Sequence, residues 1–234
     1  MALLAPLDLL ALVLFVGAWM SYHVALEWVA HRQPGLNARM DGYRDVWMTR
    51  MLEREVRIVD TQIMASLQNG TAFFASTSLI AVGGALTLLR SSDDLLAVAA
   101  ALPFGVETPR VLWELKAMGL AVIFVYAFFK FSWSYRLFNY VAILIGAMPH
   151  ARDRKKPAAK SYAMRAAHLC TVAGRHFNRG QRAFFFALGY LGWFISPWLF
   201  MAATAAVVLV MWRRQFMSDS LHAIAAAEKP RYAR

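Results

Sequence analysis

Three ionisable residues lie at regular spacing near the end of the first apolar segment. His23, Glu27 and His31 are four residues apart, which places them along one face of a helix. Imidazole and carboxylate groups bind transition metals or relay protons, so this stripe is a candidate metal or proton site. The two histidines would be about 12 Å apart, so a metal ion would need ligands from a second helix. The alternative is that the helix end reaches the interface, where Glu27 and His31 meet water.

A second group of polar residues interrupts the third apolar segment. Ser132, Arg136 and Asn139 share one helix face, and Lys130 lies on roughly the opposite face. An arginine can make a bidentate contact with a carboxylate or another anion. We expect these residues either to form an inter-helix network, with Arg136 paired to a loop acid such as Asp60, or to contact an anion or substrate.

A third group leads into the second apolar segment and continues along it: Asp60, Gln62, Asn69 and Ser76. Gly83 and Thr87 extend the spacing of Asn69 and Ser76, so small and polar residues recur on one face of an apolar helix. Small residues let membrane helices approach closely, and hydroxyl groups can bond across the contact. The same stripe could instead line a narrow hydrophilic path.

Two arginines, Arg179 and Arg182, directly precede the fourth apolar segment. Such residues meet lipid phosphates or pair with acidic residues of another loop. The preceding basic stretch, from Lys160 to Phe177, alternates apolar and basic residues and predicts an amphipathic helix at an anionic leaflet. A second amphipathic helix is expected from Tyr43 to Met64.

The composition of the chain is typical of a membrane protein. Of its 234 residues, 59% are hydrophobic and 17% are charged, with 25 Lys plus Arg against 14 Asp plus Glu. Soluble domains usually have about a quarter charged residues, so a cytosolic globule, a disordered chain and a nucleic-acid binder are all disfavoured. One cysteine, Cys170, excludes an intramolecular disulfide and a cysteine-based metal centre within one chain.

Four apolar segments are long enough to cross a bilayer, which takes about 20 residues. They cover approximately residues 7–29, 71–89, 112–135 and 183–212. The third continues without proline to about residue 147, so it predicts one helix of about 55 Å. The sequence therefore predicts an all-α polytopic membrane protein. It has four transmembrane helices with a long third helix, amphipathic cytoplasmic loop helices, and one membrane domain over residues 1–234.

The distribution of basic residues predicts the orientation. Residues 31–70 carry six Lys or Arg and residues 149–182 carry nine, more than the other connections hold. Positive loops face the cytoplasm, so both segments are expected there, with the termini outside and the bacterial inner membrane as the location. Arg213 and Arg214, directly after the fourth segment, oppose this orientation.

Several runs resemble the family catalogued as domain of unknown function 599. They are IVDTQIMASLQNGTAFFASTSLIAVGG (58–84), FKFSWSYRLFNY (129–140), FNRGQRAFFFALGYLGWFISPW (177–198) and WRRQFMS (212–218). The resemblance extends from about residue 39 to residue 218. It implies a compact multi-span membrane protein found in bacteria and plants. It implies no activity, because the family is named for lacking one, so no functional residue follows from it.

The sequence leaves three functions open. No nucleotide-binding, metalloprotease, serine-hydrolase or CxxC motif is present, so nothing supports an enzyme. One hypothesis is a homo-oligomeric conduit whose polar stripes line a path. Another is a structural or accessory subunit that binds a membrane-protein partner or lipid. The third is a metal- or proton-binding protein that uses the His23 stripe; no other cofactor and no nucleic-acid partner are expected.

Overall fold

The computed structural model describes residues 5–30, 34–90 and 109–227, and these residues are mostly helical, with short turns and no strand among them. The helices are α1 (Pro6–Ala30), α2 (Leu36–Met51), α3 (Ile58–Arg90), α4 (Arg110–Gly146), α5 (Pro157–Leu191), α6 (Pro197–Phe216) and α7 (Asp219–Ala227). Short 3-10 turns cover Ala151–Asp153 and Gly192–Phe194.

Among the residues that the structure describes, four stretches are long and apolar enough to cross a membrane, so the chain is an integral membrane protein. They are Pro6–Leu26, Ile58–Arg90, Arg110–Gly146 and Pro197–Ile224. The long third helix is confirmed: α4 has 37 residues, about 55 Å, against a hydrocarbon core of about 30 Å. The all-α membrane fold predicted from the apolar segments is therefore confirmed. The prediction of one membrane domain over residues 1–234 stays a prediction.

The predicted fourth span, residues 183–212, is interrupted in the structure. Its first part continues α5 to Leu191, and α6 begins afresh at Pro197. Ser196 is extended (φ −160°, ψ 154°), and its hydroxyl accepts a hydrogen bond from the Leu199 amide at 3.1 Å. Proline has no N–H and fits the first turn of a helix, so this proline starts a helix instead of kinking one.

The helix expected from Tyr43 to Met64 is also two helices. α2 ends at Met51, and α3 begins at Ile58 and runs on through the second apolar segment. Backbone bonds of three-residue spacing, such as Arg54 N–H to the Met51 carbonyl at 3.2 Å, tighten the end of α2 into a turn. The sequence between 149 and 182 is mostly α5, whose amphipathic character is confirmed.

The described residues fall into two compact units. The first comprises Met1–Met40, Ala85–Leu120 and Phe185–Arg234, as far as these are described. Its core is aromatic: Trp19 stacks on Phe186 with ring centroids 4.8 Å apart, and Trp193 stacks on Phe200 at 5.2 Å. Large rigid rings bury much apolar area for little lost side-chain freedom, which stabilises this unit.

The second unit comprises Asp41–Gly84 and Ala121–Phe184. Its apolar core joins α2, α3, α4 and α5, with small residues on the buried face of α5: Ala159, Ala163, Ala166, Ala167, Cys170 and Ala173. The fully buried ring of Phe131 needs Gly180, because a Cβ at that position would lie 2.7 Å from the ring. This close approach fixes α4 against α5.

Candidate functional site

Asp60 is the most deeply buried of the predicted polar residues in the second unit. It lies in the first turn of α3, where the helix dipole stabilises a carboxylate, and it has no exposed surface. Its Oδ1 accepts a hydrogen bond from Trp47 Nε1 at 2.7 Å and pairs with Arg54 Nη1 at 2.5 Å. Asp60 thus connects the start of α3 to α2 and to the turn between them.

Arg57, from the same turn, bonds the segment that follows α4. Its guanidinium donates hydrogen bonds to the backbone carbonyls of Met148 (2.9 Å) and Pro149. Both residues lie just after α4, which ends at Gly146, so Arg57 ties the segment after α4 to the turn before α3. The two arginines of this turn therefore tie three segments of the second unit together.

Asn139 has a partner on another helix. Its Oδ1 accepts a hydrogen bond from Gln68 Nε2 at 2.6 Å, which joins α4 to α3. Ser132 is half-buried on α4, whereas its neighbour Ser134 is fully buried and donates to the Ala173 carbonyl of α5 at 2.8 Å. The face of α4 that carries Asn139 is therefore an inter-helix contact at that position.

Arg136 does not make the expected pair with Asp60. Its Nε donates to the hydroxyl of Tyr140 at 2.7 Å, and its guanidinium lies over the rings of Trp133 (5.9 Å) and Tyr140 (5.7 Å). The carboxylate of Asp60 is already bonded by Arg54 and Trp47. Arg136 is exposed and belongs to an arginine–aromatic surface on α4.

Three polar residues of the α3 stripe face away from the core that the described residues form. Gln62, Asn69 and Ser76 are all exposed, and Gly83 and Thr87 are exposed on the same face. The second unit is therefore not held together by this stripe. Polar groups on the outside of a membrane-spanning helix meet water or another protein more favourably than lipid.

The candidate metal stripe is described only in part. His23 is half-buried on α1, and the side chain of Glu27 and all of His31 lie outside the described residues. Within residues 5–30, 34–90 and 109–227, no three His, Cys, Asp or Glu side chains form a cluster that could hold a metal ion. Metal binding by this stripe stays a prediction, which elemental analysis of the purified protein would test.

A buried charge cluster in the first unit is not evident from local spacing. Lys116 Nζ donates to the Trp193 carbonyl at 2.8 Å and lies 3.9 Å from Asp8 Oδ1. Trp193 Nε1 donates to the same carboxylate oxygen at 2.6 Å. All three side chains are buried, and their positions in the sequence are far apart. The sequence indicates this cluster only through Lys116 itself, because a lysine inside an apolar segment needs a partner for its charge.

The remaining predicted residues lie on α4 and α5 of the second unit. Arg179 is half-buried, as is Lys130, whose ammonium lies 5.1 Å from the ring centroid of Tyr126. Burial lowers the pKa of His176, and the positive charges of Lys130 and Arg179 lower it further. Arg182 is also half-buried on α5.

An apolar groove of about 470 Å³ lies between α1 and α6 in the first unit. Its walls include Leu14, Ala18, Met201, Val208 and Trp212. Such walls suit hydrocarbon and offer no stabilisation to an ion or a polar solute. A hydrophilic path through this groove is therefore disfavoured.

Comparison with known proteins gives a family and no activity. The family described as "Protein of unknown function, DUF599" matches residues 10–220. No curated protein and no solved structure matches the chain.

Proposed function

We propose that this chain, which belongs to the DUF599 family, is a homo-oligomeric membrane conduit whose copies meet along one face of α3. The observation that carries the proposal is the exposure of Gln62, Asn69 and Ser76 on a helix that is long and apolar enough to span a bilayer. Amide and hydroxyl groups gain hydrogen bonds by leaving lipid for a protein or water contact.

The spacing of this face favours contact between helices. Gln62, Asn69, Ser76 and Gly83 recur every seven residues, and Ser66, Phe73, Ile80 and Thr87 follow each of them by four. All eight are exposed; together they are called the α3 face below. A repeat of seven with two contact positions is the pattern of helices that pack along each other. In a symmetric assembly, Asn69 of one copy could form a hydrogen bond with Asn69 of the neighbouring copy.

An oligomer is also what a conduit would require. The four candidate spans in the described part of the chain are few for a transporter that acts alone, and the sequence shows no inverted repeat. Several copies around an axis would bring their α3 faces together and line a path with amides and hydroxyls. We further propose that residues 31–70 and 149–182 face the cytoplasm of a bacterial inner membrane, with the termini outside, because both carry an excess of positive charge.

A second candidate function is that of an accessory subunit of another membrane complex. The arginine–aromatic surface of Trp133, Arg136 and Tyr140 favours it, because these residue types are enriched where proteins bind each other. In that case the surface on α4, rather than the α3 face, would determine function.

Conductance of the reconstituted protein separates the two candidates. We expect the purified chain to conduct ions in planar bilayers, and Asn69→Leu to reduce the current severalfold because it removes an amide from the path. Arg136→Gln serves as the control, because it alters the α4 surface and leaves the α3 face unchanged. A purified oligomer that conducts nothing overturns the conduit and leaves the accessory subunit.

A further inference from the structure

Three basic residues lie on neighbouring turns where α4 packs on α5 in the second unit. Ser134 of α4 bonds the Ala173 carbonyl of α5, and the ring of Phe131 contacts that of Phe177, with centroids 5.5 Å apart. Residues earlier on α4 therefore meet residues later on α5, so the two helices run antiparallel here. This arrangement places Lys130, which precedes Phe131, beside the α5 turn that carries His176 and Arg179.

The electrostatics of His176 agree with this arrangement. Burial lowers the pKa of His176, and the positive charges of Lys130 and Arg179 lower it further. The Nδ1 atom of His176 is buried and has no hydrogen-bond partner among the described residues. Three groups that can each donate to an anion therefore lie on neighbouring turns of α4 and α5.

The described part of the chain supplies no carboxylate to this cluster. Neither Lys130 nor Arg179 forms an ion pair with any described acid. The nearby acid Asp41 is already paired, with Arg44 and with Arg175 at 3.4 Å. Lys130 lies within a candidate membrane span, where an ammonium group without a counter-charge is costly. Within residues 5–30, 34–90 and 109–227, no carboxylate balances the charges of this cluster.

We propose that Lys130, His176 and Arg179 bind a phosphate group, supplied either by an anionic lipid headgroup or by a free phosphate. A guanidinium can bond two oxygens of the same phosphate, and the ammonium and imidazole can bond others. Phosphate offers enough oxygens to satisfy all three donors together. The site is independent of the proposed conduit, because none of its residues belongs to the α3 face.

The test uses the full chain and two sources of phosphate. In the first arm, the chain in phosphatidylcholine nanodiscs is titrated with inorganic phosphate by calorimetry. In the second, native mass spectrometry measures phosphatidylglycerol retained from mixed vesicles of phosphatidylglycerol and phosphatidylcholine. We expect binding in at least one arm, and a loss on the order of tenfold for Lys130→Gln/Arg179→Gln. If the chain retains lipid but does not bind inorganic phosphate, the ligand is a lipid headgroup. If it binds inorganic phosphate but retains no lipid, the ligand is a free phosphate.

The control is Arg165→Gln, which removes the same charge from an exposed position of the same helix. The conservative pair Lys130→Arg/Arg179→Lys should retain binding, which distinguishes a lost contact from a lost fold, and circular dichroism checks helicity for each variant. The proposal is overturned if the native chain binds in neither arm. It is also overturned if a folded double variant binds as tightly as the native chain, or if the control weakens binding equally.

Discussion

Replacing Lys116 by methionine is expected to lower the free energy of unfolding by about 3 to 5 kcal/mol. Methionine fills a similar volume, so the loss comes from the charge and not from a cavity. The change leaves the buried carboxylate of Asp8 with Trp193 Nε1 as the remaining contact of this cluster, and it removes the donor that bonds the Trp193 carbonyl. Denaturant unfolding of the purified chain in detergent measures the effect.

The matched control lies on the same helix. Glu114→Gln breaks the pair of Glu114 with Arg110, whose side chains are 39% and 60% exposed, and such pairs contribute about 0 to 1 kcal/mol. Adding Asp8→Asn to Lys116→Met should recover much of the loss, because an amide oxygen still accepts from Trp193 without a buried charge. If Lys116→Met costs no more than Glu114→Gln, the cluster does not hold the first unit together.

Asp60→Ala is expected to destabilise the chain by about 3 kcal/mol. It removes the acceptor of Trp47 Nε1, breaks the pair with Arg54, and takes a negative charge from the first turn of α3. Arg54 is 42% exposed and can turn to water, so most of the loss comes from the buried contacts. Unfolding of the variant in detergent measures the loss.

Asp60→Asn separates the two roles that the sequence leaves open for this residue. The amide keeps an acceptor for Trp47, so a purely structural Asp60 predicts a smaller loss of stability and unchanged conductance. Normal stability with lost conductance would instead place the Asp60 charge in a path. Asp153→Asn is the control, because its partner Lys156 is largely exposed and such surface pairs contribute little to stability.

The sequence predicts the membrane fold well because a long apolar run has few stable structures other than a membrane-spanning helix. The length of α4 follows from the absence of proline over its whole extent. The break before Pro197 cannot be predicted from the sequence in the same way, because a proline is compatible both with a kink inside a helix and with the start of a new helix. The Ser196 cap decides between them, and a serine beside a proline is a weak signal by itself.

The contacts of the polar residues are less predictable than the helices. Asn139 was expected either to join an inter-helix network or to contact an anion, and its partner Gln68 depends on how α3 and α4 pack. The partner of Arg136 is local, because Tyr140 lies one turn away on the same helix. Lys116 and Asp8 meet only through tertiary packing, so no local pattern indicates their contact.

The exposure of the α3 face is the feature on which the proposed assembly depends. The stripe was expected either to pack against another helix or to line a hydrophilic path. Gln62, Asn69 and Ser76 are exposed among the described residues, and this exposure supports the proposed contact with other copies of the chain. Asn69 and Ser76 lie near the middle of this face, so they report on it most directly.

Disulfide crosslinking at Ser76 tests the central claim that copies of the chain meet along the α3 face. The native Cys170 is buried, and burial raises the pKa of its thiol to about 11, so background crosslinking is low. We expect Ser76→Cys to form dimers on mild oxidation in native membranes. Leu86→Cys, exposed on the same helix but about 80° from Ser76, should form few. Equal crosslinking at both positions, or none at Ser76, would contradict the assembly.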